Sequence, residues 1–272
     1  MNTFLLTTDF SKASYHALKY AASMAADLGA GKLIIYHAQE GEGPSASWQS
    51  EHEKIIEKLE QMRNEITTHF LPDQTPHFEI MTNEMPVEIG VQLLAEQFEA
   101  DLIIVGATGK SPFRQAWVGS SATRMAATTR YPLLIVPENA HFKPIRRVVF
   151  ACDLKQVSES TPVKEIGKWL NILKANLLVL NVAKEKRPFD PDIIPEQYKI
   201  HQLLEPFNPD YHYTQGDDIA DEIEDFAEDH SAGIIVSVPK PHSFFERVFQ
   251  KSVTKQLMRE SDIPVLVLNR IQ

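Results

Sequence analysis

The chain holds a single cysteine, Cys152, in 272 residues. An intramolecular disulfide framework is thereby excluded, and a lone thiol fits a reducing compartment. No apolar run reaches the ~20 residues that a membrane-spanning helix needs. The opening "MNTFLLTTDFSK" has no basic stretch followed by a long apolar one, so no secretory leader is expected there. Positive charge is scarce: 27 Lys and Arg stand against 37 Asp and Glu, for a net charge of −10. A general nucleic-acid binder wants a basic face toward the phosphates, so that class is not expected either. What is present is the composition of a globular protein with a real core, 43% hydrophobic and 24% charged. The expectation is a cytoplasmic protein with neither membrane nor nucleic-acid partner. At roughly 100–200 residues per domain it makes one large domain or two ordinary ones.

Short runs rich in Ile, Leu and Val mark strands over 3–8, 32–38, 77–82, 101–106 and 132–137. Between them lie segments with helical spacing. In 11–28, Ala17, Leu18, Ala21, Met24, Ala25 and Leu28 recur at three- and four-residue steps, with Ser11 as N-cap and Gly29 and Gly31 as the stop. Strands that alternate with helices and are apolar throughout predict a mostly parallel sheet covered on both faces. The same order then recurs. "RRVVFACD" (146–153) echoes "NTFLLTTD" (2–9), "NLLVLNVA" (176–183) echoes "KLIIYHAQ" (32–39), and "ESDIPVLVLN" (260–269) echoes "TTRYPLLIVPEN" (128–139). A repeat of this size predicts two duplicated domains, 1–138 and 145–272, joined through the proline-bearing "PENAHFKPIR".

The fragment "GATGKS" (106–111) has the look of a P-loop ending, but that motif needs a glycine five positions before Gly109, and Ile104 stands there inside a strand. The dinucleotide fingerprint fails as well, since the glycines are Gly106, Gly109 and Gly119. What remains is G-x2-G-x9-G-S. Gly106 ends a buried parallel strand, the edge where open α/β sheets bind ligands, and a glycine there lets a ligand approach the backbone. Gly119 and Ser120 open a helix whose free N–H groups and dipole make an anion site, to which Ser120 and Ser121 add hydroxyls. Taken by themselves, three loop glycines are also ordinary turn chemistry.

The pattern Gly106–x2–Gly109–x9–Gly119–Ser120 resembles the ATP-binding signature of the universal stress protein family. "TTDFS" (7–11), "ADLIIVGATG" (100–109) and "PLLIVP" (132–137) resemble that family's first-strand ending, its most characteristic stretch and its closing strand. The resemblance covers the chain as two tandem copies. It implies two doubly wound five-stranded parallel sheets of order 3-2-1-4-5, the adenine nucleotide alpha hydrolase-like arrangement. It also implies ATP as ligand, with Mg²⁺ left open, and pairing of copies through the last strand. Carried over by position, Thr8 and Asp9 lie beside the adenosine. Ala38 offers its backbone to the adenine edge, and Gly106 passes under the ribose. Thr108, Gly109, Gly119, Ser120 and Ser121 surround the phosphates. Lys110 and Arg114 either neutralise phosphate or are solvated loop charges. The implied role is a stress-response sensor or regulatory module; a slow ATPase or phosphotransfer enzyme is the alternative, with at most weak hydrolysis expected in the absence of a Walker motif, an acid–base pair or a ligand cluster.

In the second copy, alignment on the fourth strand sets Gly106 against Ser237, Gly109 against Lys240, and Gly119 and Ser120 against Gln250 and Lys251. Every signature glycine is gone, and nucleotide is expected in the first domain only. The acidic run 217–230 carries Ile219, Ile223 and Phe226 on one helical face, so its acids read as the solvated face rather than a metal site. His37 reads as a satisfied histidine at a strand end, and Cys152 as core.

Overall fold

The structure, a computed structural model, describes residues 2–39, 46–69, 76–107, 120–184, 191–239 and 253–269. The chain divides into two compact units that meet in sequence between Phe142 and Lys143. The first contains β1 (Thr3–Thr7), α1 (Lys12–Leu28), β2 (Lys32–Ala38), α2 (Ala46–His69), β3 (His77–Asn83), α3 (Val87–Gln97), β4 (Leu102–Ala107), α4 (Ser120–Thr128) and β5 (Leu133–Pro137). Its strands are all parallel, in the order β3-β2-β1-β4-β5.

The second unit contains β6 (Arg147–Ala151), α5 (Val157–Ser160), α6 (Val163–Leu173), β7 (Asn176–Ala183), α7 (Ile193–Leu204), β8 (Asp210–Gln215), α8 (Ile219–Asp229), β9 (Ile234–Ser237), α9 (Val253–Glu260) and β10 (Val265–Val267). Its strands too are parallel, in the corresponding order β8-β7-β6-β9-β10. Both units are thus doubly wound α/β folds.

The central strand β1 and the last strand β5 are buried at every residue. Helix α1 starts where Ser11 caps it, its hydroxyl accepting from Ser14 N at 3.2 Å. It stops at Gly29, whose left-handed φ of 65° turns the chain so that Ala30 N reaches Ala25 O at 2.8 Å. The buried face of α1 is built on Ala13, Ala17, Ala21, Ala22 and Ala25, and small side chains let a helix lie close to a sheet. Helix α2 buries Ile55, Leu59, Met62 and Ile66, a stripe at three- and four-residue steps.

Register aligns the copies residue by residue. Phe4 pairs with Leu102 as Val148 pairs with Ile234, and Ile103 pairs with Leu133 as Ile235 pairs with Val265. The strand ladder therefore sets Val105 against Ser237 and Gly106 against Val238, and so corrects by one residue the fourth-strand alignment that had set Gly106 against Ser237. A slip of one moves a side chain to the other face of a sheet, so the difference is not cosmetic. Val105 and Ala122 of the first unit are replaced by Ser237, which is buried, and Thr254, whose hydroxyls bond each other at 2.8 Å. Two buried apolar residues of the first unit thus give way to a hydrogen-bonded pair in the second. The same count sets Gly109 against Pro241, Gly119 against Lys251 and Ser120 against Ser252, residues outside those described except for the backbone of Ser120. No glycine of the signature is kept in either register.

The second unit departs from the sequence reading in α8 and from the first unit in its first helix. Among the acids of α8, Glu224 is not solvated: it is 2% exposed and accepts from Asp262 N at 2.7 Å. And the counterpart of α1 is broken into α5 and α6 at Thr161–Pro162, because proline has no N–H to carry a helix across that point.

Gly90, inside α3, is fixed by a part-buried polar pair. Tyr36 Oη donates to Asn83 Oδ1 at 2.7 Å, and a Cβ at Gly90 would strike the Tyr36 hydroxyl and come to 2.9 Å from Asn83 Nδ2. Alanine in place of a helix-interior glycine ordinarily stabilises by ~0.5–1 kcal/mol. Here Gly90→Ala is expected to destabilise by about 1–3 kcal/mol, the cost of overpacking, read as a lowered urea midpoint; a raised midpoint contradicts the packing described.

Candidate functional site

The site is built from the way β1 ends. Thr8 N still bonds Tyr36 O at 2.8 Å, the last rung toward β2. Asp9 then folds its carboxylate forward to accept Ser11 N at 3.0 Å, and Phe10 takes a left-handed φ of 62°, which turns the chain into α1. Thr8 Oγ1 lies 2.9 Å from Ser14 Oγ, and Ser14 Oγ donates to Ser11 O at 3.0 Å. Because Ser14 spends its proton on that carbonyl, Thr8 donates to Ser14. The Thr8 side chain is therefore buried inside the turn, where it holds the start of α1 rather than offering a hydroxyl outward.

Burial pushes the Asp9 carboxyl up, but its hydrogen bonds, those from the Ser11 hydroxyl and amide foremost, outweigh it and leave the group below the usual aspartate range. Asp9 is thus an ionised carboxylate, exposed at the carboxyl edge of the central strand.

Ala38 and Gly106 stand on either side. In a strand, a residue's N–H and C=O point to the same neighbour, and successive residues alternate. Tyr36 O faces β1 and Gln39 N faces β3, where it bonds Asn83 O at 2.8 Å, so Ala38 turns its own N–H and C=O toward β1. Ile103 N faces β5, where it bonds Pro132 O at 2.9 Å, so Gly106 also turns toward β1. At that level β1 has already left the sheet. The backbone groups of Ala38 and Gly106 face the gap that it leaves, with Asp9 at its rim.

Gly106 has a reason of its own. A Cβ there would lie 2.5 Å from Ala13 O and 2.8 Å from Ser14 N, so the side chain is excluded by the first turn of α1. This glycine thus permits a close approach of helix to strand, a requirement that the sequence reading, which looked to a ligand, did not include. Ser120 opens α4, as expected, and Ser121 Oγ lies 3.5 Å from Arg124 Nη2. Thr108, Gly109, Lys110, Arg114 and Gly119 lie outside the described residues.

His37 and Phe10 complete the edge. The Thr8 carbonyl can only accept, so His37 Nδ1, 2.8 Å away, carries the proton. The Phe10 ring packs on the His37 ring at 4.5 Å between centroids, with Lys58 Nζ 5.3 Å from the Phe10 centroid. His37 is satisfied, as read from the sequence, but its task is to anchor the end of β1. Phe10 had given no signal beyond its place in a D-F-S turn. The second unit repeats the scaffold with other residues: Asp153 accepts Lys155 N at 3.1 Å, Leu154 has φ 52°, and Asn181 Nδ2 donates to Cys152 O at 2.8 Å. There Val238 stands for Gly106, and the N–H of Val157 that opens α5 is taken by Glu196 Oε2 of α7 at 2.7 Å.

Fold and edge together define a duplicated parallel α/β protein whose first unit turns the backbone of Ala38 and Gly106 toward the place where β1 leaves the sheet. The chain belongs to the universal stress protein family, whose model matches it twice, over residues 1–137 and 145–269. A universal stress protein from Archaeoglobus fulgidus DSM 4304 superposes with a TM-score of 0.72 and 16% identity, covering 99% of each chain. A candidate member from Pseudomonas aeruginosa UCBPP-PA14 gives 0.63 and 14%, over 99% of this chain and 93% of that one. At these identities the likeness speaks for the fold. No curated protein matches the chain. Among the described residues, no helix is long and apolar enough to cross a membrane.

Gly106→Val gives the first unit the residue that the second carries. Because Ala13 and Ser14 are backbone obstacles, the substitution is expected to destabilise the protein by about 1–3 kcal/mol and to speed amide exchange in the first turn of α1. A variant as stable as the parent would show that the helix start yields freely.

Proposed function

We propose that the first unit binds an adenine nucleotide, ATP above all, and that the protein acts as a cytoplasmic stress-response sensor or regulatory module rather than as an enzyme. The observation that carries this reading is the gap left by β1, faced from both sides by the backbone of Ala38 and Gly106. Open α/β sheets take ligands at such a switch point. The donors present fit the group. Ala38 supplies an N–H and a C=O to a base edge, and Asp9, held ionised, accepts from a ribose or base donor. The N-terminus of α4 at Ser120 and Ser121, reached through the loop that carries Thr108, Gly109, Lys110 and Gly119, suits phosphate. Mg²⁺ enters this reading only as a companion of the phosphates.

The second unit is proposed to be a structural partner without nucleotide. It keeps the aspartate turn but has Val238 at the glycine position, and Glu196 already occupies the amide that opens α5. A bound nucleotide regulates by preferring one state of the first unit over another, and by no more than that preference.

Calorimetric titration with ATP tests the reading. One site per chain is expected, weakened by Asp9→Ala and abolished by Gly119→Val, with turnover below ~1 s⁻¹, the low end of ordinary enzymes. Two sites per chain contradict the silent second unit, and no binding contradicts the nucleotide.

A further inference from the structure

The duplication supplies an internal control for surfaces, and it is sharpest on α3 and α8. Both helices run for 11 residues. Both bury the same face, Val91, Leu94 and Ala95 in one and Ile223, Phe226 and Ala227 in the other. Both end alike, with Phe98 N bonded to Leu94 O and His230 N to Phe226 O. Residue for residue, Met85 corresponds to Asp217, Ile89 to Asp221 and Leu93 to Asp225.

In the second unit these three positions are exposed aspartates, the ordinary solvated face of an amphipathic helix. In the first they are apolar and just as open: Met85 is 43% exposed, Ile89 53% and Leu93 46%. Ile89 and Leu93, four residues apart on α3, lie on one face of the helix, and Met85 stands in the turn that leads into it. The fold does not require these apolar residues, since the sister unit builds the same helix without them. Exposed apolar side chains grouped in this way mark an interaction surface.

The rim selects the occupant. Every exposed charged residue of the stretch 84–99 is acidic: Glu84, Glu96 and Glu99. Glu88 is held by Arg124 of α4 in an ion pair. A second copy of this surface would bring carboxylates against carboxylates, a juxtaposition that opposes association. A helix with apolar anchors at matching spacing and Lys or Arg beside them meets both the apolar residues and the rim, in the helix-on-surface mode of peptide recognition.

We infer that the exposed face of α3 docks a basic amphipathic helix of a partner protein. The inference stands independently of the nucleotide.

The probe is a fluorescein-labelled synthetic peptide of about 18 residues, long enough to be helical once docked, with Leu along one face and Lys on its flanks. A twin carries Glu in place of Lys. The full chain is compared with its M85D/I89D/L93D variant, which borrows the residues of α8, and with Ile89→Ser, the mildest change at the most exposed position. Charge makes the comparison decisive, because the triple variant is more acidic and a merely electrostatic attraction for the Lys peptide would strengthen.

Anisotropy titration is expected to show the Lys peptide bound at least ~10-fold tighter than its twin, with at least a ~10-fold loss in the triple variant and a smaller loss in Ile89→Ser. Hydrogen exchange should slow on peptide binding within 84–99 and nowhere else. Unchanged or tighter binding by the variants, protection in another region, or no binding by the parent chain overturns the inference. A concentration-dependent dimer in sedimentation that the triple variant abolishes overturns it in favour of a second copy as occupant.

Discussion

The bare Cα of Gly106 is where the first unit is set. With no side chain there, the backbone of Ala13 and Ser14 lies directly on the end of β4. That contact fixes where α1 begins, and so how sharply the chain must turn after β1. The turn is then locked from within by Thr8, Ser11 and Ser14, and from the side by His37. Asp9 is left at the rim of the gap between β2 and β4, with its charge favoured by the hydroxyls that shape the turn. A packing constraint between a helix and a strand thus creates the polar edge to which a ligand is proposed to bind.

In the second unit the constraint is lifted. Valine stands at 238 and at 157, the counterparts of Gly106 and Ala13. The helix after β6 no longer runs unbroken, and its short first segment is held by Glu196 instead of resting as α1 does. The aspartate turn survives, with a left-handed residue behind it, so the turn does not depend on the glycine, which answers instead to the packing of α1 on β4. The surfaces have diverged in the same way. Where α8 presents aspartates to solvent, α3 presents Met85, Ile89 and Leu93. One half keeps the frame and the other carries the distinctive chemistry on it.

Much of the frame was legible because it depends on local physics. Strands buried on both faces must be continuous runs of Ile, Leu and Val, Ser11 and Gly29 punctuate α1, and a repeated order of elements announces a duplication. The register of β9 was not legible for the same reason that the strand itself was: an apolar run buried on both faces has no alternation to show which way each residue points. Only the ladder to β6 and β10 places Val238 rather than Ser237 opposite the glycine. The purpose of Gly106 and Gly90 was hidden because each answers to atoms far away in sequence, Ala13 in one case and Tyr36 in the other. Of the candidate site, Thr8, Asp9, Ala38 and Gly106 do converge on one sheet edge, yet Thr8 faces inward, because its hydroxyl is needed by the turn.

The most direct measurement is amide NMR of the labelled full chain with and without ATP. The account predicts shifts at Asp9, Phe10, Ala38 and Gly106, and none at Asp153, Leu154, Val182 and Val238. Shifts in the second set, or an undisturbed first set at saturating nucleotide, would contradict it.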